Sequence, residues 1–303
     1  VDRTQGVVTL ARTPRWWGAT PRLTSIVYRA VPLDSRISAL RNNEFDYATF
    51  GFDTSTTVLA QARTLPDVTL RRAPSNLGRS LLFRTDTGPL ADARVRRAVV
   101  RAIDRTRLAG TGPDSTRVPL GNHLLFTNHP GYTDQSEATG LTFDVAGAGK
   151  LLEEAGWTRD AQGRWVEGGV ALKVTISAIG SALPEDTAPI ATMLAEAGFQ
   201  VTRTTGEADI MLGLEMTTAF PLSNVADLRA SGDLAGLLRS VATQTDETRR
   251  ADEASRAARL MWQQATSLPL DQDLQISAVK SGLANLGAPG FGTVRWERVG
   301  WTR

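Results

Sequence analysis

Four groupings in the chain have residue types and spacings that could do chemistry. Ser277-Ala278-Val279-Lys280 carries the Ser-x-x-Lys spacing of an acyl-enzyme nucleophile and its lysine. That chemistry needs both side chains on one face. The segment reads as strand, where residues three apart point to opposite faces, and the supporting motifs do not occur. Gly147-Ala148-Gly149-Lys150 resembles the end of a phosphate loop, but Asp144 and Leu151 stand where Gly and Ser or Thr are required. His123 and His129, six residues apart in a polar stretch, match no zinc spacing and read as surface histidines. Glu153-Glu154 reads as solvated charge on a helix face. With no cysteine there is no disulfide, thiolate nucleophile or thiolate metal site. The expectation is a protein that is not an enzyme and holds no metal or cofactor.

Composition narrows the partners. The 303 residues are 41% hydrophobic and 22% charged, with a formal net charge of +2. That is ordinary for a globular chain able to bury a core. Lysine occurs only at Lys150, Lys173 and Lys280, and no basic cluster suggests nucleic acid. No apolar run approaches the roughly 18 residues of a membrane span. The chain opens at Val1 within a strand-like run, without a signal segment, so a carboxy-terminal fragment or processed product is expected.

Residues 6–11, 25–29 and 45–52 read as strands, with a helix from Asp34 as N-cap to Asn42-Asn43. Strand, helix, strand within about 30 residues predicts a parallel βαβ unit and an α/β domain. Residues 79–84 form a strand around Leu81-Leu82-Phe83. After Asp92, the apolar spacing of Val95, Ala98, Val99, Ala102 and Ile103 predicts a helix with Arg94, Arg97 and Arg101 outside. Residues 110–142 lack periodicity and read as a long loop. Asp144 caps a helix ending at Gly156. Trp157 and Trp165 flank a hairpin turn at Asp160–Gly163 and are expected to pack on that helix. A helix over 184–197 ends at Gly198, strands follow at 199–202 and 209–212, and a long helix spans 246–266. Short strands close the chain from Pro269.

Several blocks, in order, resemble the family 5 extracellular solute-binding proteins, the oligopeptide, dipeptide and nickel binders. Leu10-Ala11-Arg12-Thr13-Pro14-Arg15-Trp16-Trp17-Gly18 is similar to the family's Arg-Asn-Pro-x-Tyr/Trp-Trp-Gly, with Thr13 replacing Asn. Ala39-Leu40-Arg41-Asn42-Asn43-Glu44-Phe45-Asp46 matches its next segment, with Asn43 where Gly is usual. Pro89 to Ala98 with Ala102-Ile103-Asp104-Arg105, and Leu151 to Trp157 with Gly163-Arg164-Trp165, match its helix and hairpin blocks. The Arg-rich style and Trp-ended tail resemble the actinobacterial branch, which includes a lipoprotein of cell-envelope phosphatidylinositol mannoside and lipoarabinomannan assembly.

The resemblance implies an α/β, periplasmic-binding-protein-like (type II) two-lobed fold, incomplete at its amino terminus. Residues 1–73 and 267–303 would form part of a discontinuous first lobe, and 74–266 the second. It implies a monomeric extracytoplasmic component of an ABC transporter, anchored as a lipoprotein. The partners would be a small solute or peptide and a transporter permease. The alternative is a non-transport lipoprotein of this fold that regulates or scaffolds envelope glycolipid synthesis with a biosynthetic membrane protein. Ligands of open α/β lobes gather beyond the carboxyl ends of strands. Phe50, Phe52 and Asp53 after one strand, and Asp209, Glu215 and Phe220 along another, are the candidate ligand-binding residues. The ligand the resemblance implies is an oligopeptide or similar solute; no Asp-Pro follows Asp209–Pro221, where peptide binders of the family usually have one, a departure from the peptide-binding pattern.

Overall fold

A computed structural model describes residues 6–51, 54–223, 225, 228, 230 and 232–302. Its strands are β1 (Val7–Ala11), β2 (Ser25–Arg29), β3 (Tyr47–Phe50), β4 (Val68–Phe83), β5 (Arg117–Pro119), β6 (Thr158–Arg159) and β7 (Trp165–Glu167). They continue with β8 (Val170–Ala171), β9 (Lys173–Ala178), β10 (Gln200–Arg203), β11 (Ile210–Met216), β12 (Ser267–Lys280), β13 (Leu283–Ala284) and β14 (Gly300–Trp301). The helices are α1 (Arg36–Arg41), α2 (Thr56–Arg63), α3 (Ala93–Ala102), α4 (Arg105–Ala109), α5 (Val145–Glu154), α6 (Thr187–Glu196), α7 (Gly232–Thr243) and α8 (Glu247–Gln264). Among the described residues no helix is long and apolar enough to cross a membrane.

The chain divides into two compact units. The smaller draws on Val1–Ser75, Gly112–Thr116 and Asp273–Arg303, the larger on Asn76–Thr111 and Arg117–Gln272. In the smaller unit β1 and β2 pair antiparallel as a sheet of their own, and Tyr28 meets Trp296 edge-on. The strand β3 pairs antiparallel with the end of β12, Phe50 opposite Ile276. The parallel pairing expected between residues 25–29 and 45–52 is therefore wrong. Four of the five β2 residues are exposed, so the strand has no buried face against which a crossover helix could pack. Asp34 is not the helix cap either: a 3-10 turn over Leu33–Ser35 intervenes and Ser35 occupies the cap position. Asn43 adopts φ 60°, a left-handed conformation that Asn, like Gly, tolerates.

The larger unit holds the parallel βαβ device. Strands β9 and β10 pair in parallel around α6, and β9 also pairs in parallel with β11. The strand order is β10-β9-β11-β4-β12, with β5 against β12. Leu81, Val99, Leu152, Ile176, Leu212 and Trp262 are part of one core. The capping carboxylates do as their positions require: Asp92, Asp144 and Asp246 accept from the amides of Arg94, Gly147 and Arg249. Gly156 and Gly198 take φ 99° and 94° after α5 and α6. Trp157 is half-buried, whereas Trp165 is enclosed and donates its indole N–H to Ala197 O at 2.9 Å.

Two features differ from expectation by their polar content. The tail after Pro269 begins in one 14-residue strand, β12, not a set of short ones. Asp271, Gln272 and Asp273 interrupt its apolar pattern yet are buried, because they are paired. Arg96, within an arginine-rich run, is likewise buried. It donates to the carbonyls of Leu90 and Ala91, both at 2.8 Å, and of Gln264 and Ala265, both at 3.0 Å. It thereby satisfies carbonyls that the end of α8 leaves without helical partners. Helices α2 and α7 were not foreseen; α2 is capped by Ser55, whose hydroxyl accepts from Val58 N.

Candidate functional site

The antiparallel ladder of β4 and β11 sorts residues onto two faces. Leu81, Phe83, Ile210 and Leu212 face the core. Ser80, Gly78, Gly213 and Glu215 share the other face, with Glu215 directly across from Gly78. A β-carbon on Gly78 would lie 2.8 Å from Phe126 Cζ, so the missing side chain admits the Phe126 ring beside the ladder. The Ser80 hydroxyl and a Glu215 carboxylate oxygen are hydrogen-bonded. Burial pushes the Glu215 carboxyl up from its usual value, and the Ser80 bond opposes this in part.

The strand's outer edge is open. On that side, among the described residues, β11 pairs with β9 over Ile210–Leu212 alone, and Ile179 N donates to Leu212 O at 2.9 Å. Asp209 O and Thr217 N bond toward β4, so Leu214 and Met216 direct their backbone groups to the opposite side. Those groups have no hydrogen-bond partner among the described residues. Met216 is 73% exposed and Phe220 77% exposed.

The turn beyond β11 is tied to the 122–132 loop. Phe126 N donates to His129 Nδ1 at 2.8 Å, which leaves Nε2 to carry the proton and donate to Thr218 O at 2.8 Å. Behind it Gln272 Oε1 accepts from Thr127 N and Oγ1, at 2.9 and 2.7 Å. Deeper, Arg79 binds Asp271 through two nitrogens, at 2.9 and 2.6 Å, and Asp186 at 3.0 Å.

The six candidate residues divide. Glu215 and Phe220 lie on one strand and the turn after it. Asp209, at the head of that strand, accepts from Thr175 N and Oγ1 at 2.8 and 2.7 Å, so its carboxylate braces β9. Phe50 is 2% exposed and packs in the smaller unit. Phe52 and Asp53 lie outside the described residues. Ser277 is buried, its hydroxyl 3.0 Å from Tyr47 OH, and is no accessible nucleophile. Arg79, Asp271, Ser80 and His129 were not singled out as site residues; an arginine just before an apolar run was the available signal for the first.

The histidines are not surface residues. His129 is buried, and burial lowers its pKa. His123 is half-buried, set edge-on to Trp262 at 5.1 Å, with Nε2 3.3 Å from Ser267 O. Burial lowers its pKa from 6.5 to about 4. A folded pKa below the unfolded one means that only the unfolded chain gains this proton between those values. The stabilisation is whole above pH 6.5 and lost as pH falls toward about 4. Urea midpoints should drop between pH 7 and about 4.5, and His123→Gln should flatten that drop; an equal drop in both proteins would remove His123 as its source.

Residues 1–247 match the family model of bacterial extracellular solute-binding proteins, family 5 Middle, and the chain belongs to that family. It is 29% identical over 339 residues to the oligopeptide-binding protein OppA of Mycobacterium tuberculosis, covering 100% of this chain and 55% of OppA. A 25% identity over 163 residues links 53% of the chain to 25% of LpqW of M. tuberculosis, described as a probable monoacyl phosphatidylinositol tetramannoside-binding protein. Among solved structures, HbpA2 of Haemophilus parasuis superposes with a TM-score of 0.81 at 16% identity, covering 100% of this chain and 63% of that one. The fold is thus that of the family's periplasmic-binding type. The chain spans 55% of the length of OppA.

Proposed function

We propose that this chain is part of the extracytoplasmic solute-binding component of an ABC transporter, and that it captures an oligopeptide or similar solute without chemical change. The observation that carries the reading is the open edge of β11 at Leu214 and Met216, with the Glu215 carboxyl between them in sequence. An extended peptide can add its main chain to such an edge. An exposed thioether and phenyl ring supply contact area, and a carboxyl with no ion-pair partner among the described residues suits an ammonium group. The division near Ser75/Asn76 and Gln272/Asp273 supports reading residues 1–73 and 267–303 as part of the first lobe and 74–266 as the second. A monomer that is lipid-anchored outside the membrane and hands solute to a permease completes the reading, with OppA similarity across the whole chain in its support. Similarity to LpqW over about half of the chain favours a second reading, a role in envelope glycolipid assembly without transport.

Native mass spectrometry of the protein purified from its own host distinguishes these. A co-purified species of peptide mass is expected; a mannosylated phospholipid would replace the first reading with the second, and a chemically altered solute would overturn both. Glu215→Gln should weaken binding of a trialanine probe at least about tenfold in calorimetry. The same change should raise the thermal midpoint of the unliganded protein at pH 7. A carboxyl whose folded pKa exceeds its unfolded value costs stability as pH rises through that interval, and the amide carries no such cost. Unchanged affinity with a raised midpoint would place Glu215 outside the ligand site.

A further inference from the structure

We infer that His129 is a positioning residue for this site, latching the Thr217–Phe220 turn onto the Phe126–His129 turn so that the β11 edge and Phe220 are held ready for ligand. The inference rests on the reading of β11 as the ligand edge. The geometry is specific to an imidazole. Nδ1 accepts from Phe126 N at 2.8 Å, closing its own turn, while Nε2 reaches across to Thr218 O at 2.8 Å with Thr217 Oγ1 at 3.4 Å. No other side chain offers an acceptor and a donor on opposite sides of one rigid ring at neutral pH. Burial favours the neutral ring that this pairing needs.

The latch sits where β11 stops being held by its neighbours. β9 leaves after Leu212, and the last ladder contact toward β4 is Thr217 N to Asn76 O at 2.9 Å. Beyond it Phe220 N bonds locally, to Thr218 Oγ1 at 3.1 Å. On the other side the His129 turn is anchored by Phe126 against Gly78 and by Thr127 on Gln272. Loss of the Nε2 arm would leave the turn beyond Thr217 without its tie to the Phe126–His129 turn. Loss of the Nδ1 arm would disturb only the Phe126 turn.

Two substitutions separate the arms. His129→Asn keeps an acceptor near Nδ1 and removes the reach to Thr218; His129→Gln keeps a donor near Nε2 and removes the Phe126 contact. Amide hydrogen exchange of the chain is the primary readout and needs no ligand. In His129→Asn, exchange at Thr217 and Phe220 should quicken about tenfold, the size of one buried hydrogen bond. In His129→Gln it should stay near wild type there and quicken at Phe126. Calorimetry with trialanine should then show at least about tenfold weaker binding for the Asn variant and rescue by Gln. Equal exchange at Thr217 and Phe220 in all three proteins would overturn the inference, as would uniform loss of protection reaching Ile176 in both variants. If wild type does not bind trialanine, the peptide reading falls while the exchange result still decides the latch.

Discussion

Asp271→Ala is expected to cost about 3–5 kcal/mol of stability, the range for breaking a buried ion pair by removing one partner. Asp271 is 0% exposed on β12 and receives Arg79 bidentately from β4. Its removal takes two charge-assisted bonds from a guanidinium that is itself buried. Asp186 at 3.0 Å remains, and Arg117, 3.8 Å from the same carboxylate, loses that contact as well. Replacing the pair by apolar residues should be milder, since the cost lies in stranding a charge and not in losing an attraction. Chemical unfolding of Asp271→Ala and of Arg79→Met/Asp271→Leu checks both parts. A loss below about 1 kcal/mol in the single variant would mean that water reaches the pair.

The second large effect is at Trp165. Trp165→Ala should cost about 3–5 kcal/mol by cavity formation. The ring is 2% exposed, its N–H is satisfied by Ala197 O, and the Arg159 guanidinium lies 4.1 Å over its face. Trp157 has no such enclosure, so Trp157→Ala should cost visibly less under the same conditions. Equal losses at the two positions would contradict the burial difference.

Where one face of an element meets one core, the sequence was readable. The apolar stripe of α3, the capping Asp92 and Asp144 and the left-handed Gly156 and Gly198 are local devices, and each appears where its residue type placed it. Long-range choices were not readable. Nothing in Ser25–Arg29 says that its neighbour is β1 and not β3, because exposure of the strand follows from what fails to cover it. Buried polar residues misled for a related reason: Asp271, Gln272 and His129 look like surface until their partners, more than 80 residues away in sequence, are brought up to them. Of the proposed site, Glu215 and Phe220 could be picked out as candidates, a carboxyl and a ring beside a strand end. Ser80, Gly78 and His129 were not, since their parts depend on register.

The pairing of β3 with β12 bears on the order in which the chain can acquire structure. Tyr47 OH meets Ser277 Oγ across 230 residues, and the smaller unit collects its residues from three stretches of chain. The larger unit draws on two stretches interrupted only by Gly112–Thr116. Closing a span of that length costs chain entropy before any ladder bond repays it, and contacts so remote in sequence slow folding. During synthesis β3 is complete long before residues 276–279 exist, and until then its edge groups have only solvent or a foreign strand to bind. Its four-residue length limits what such a strand could hold.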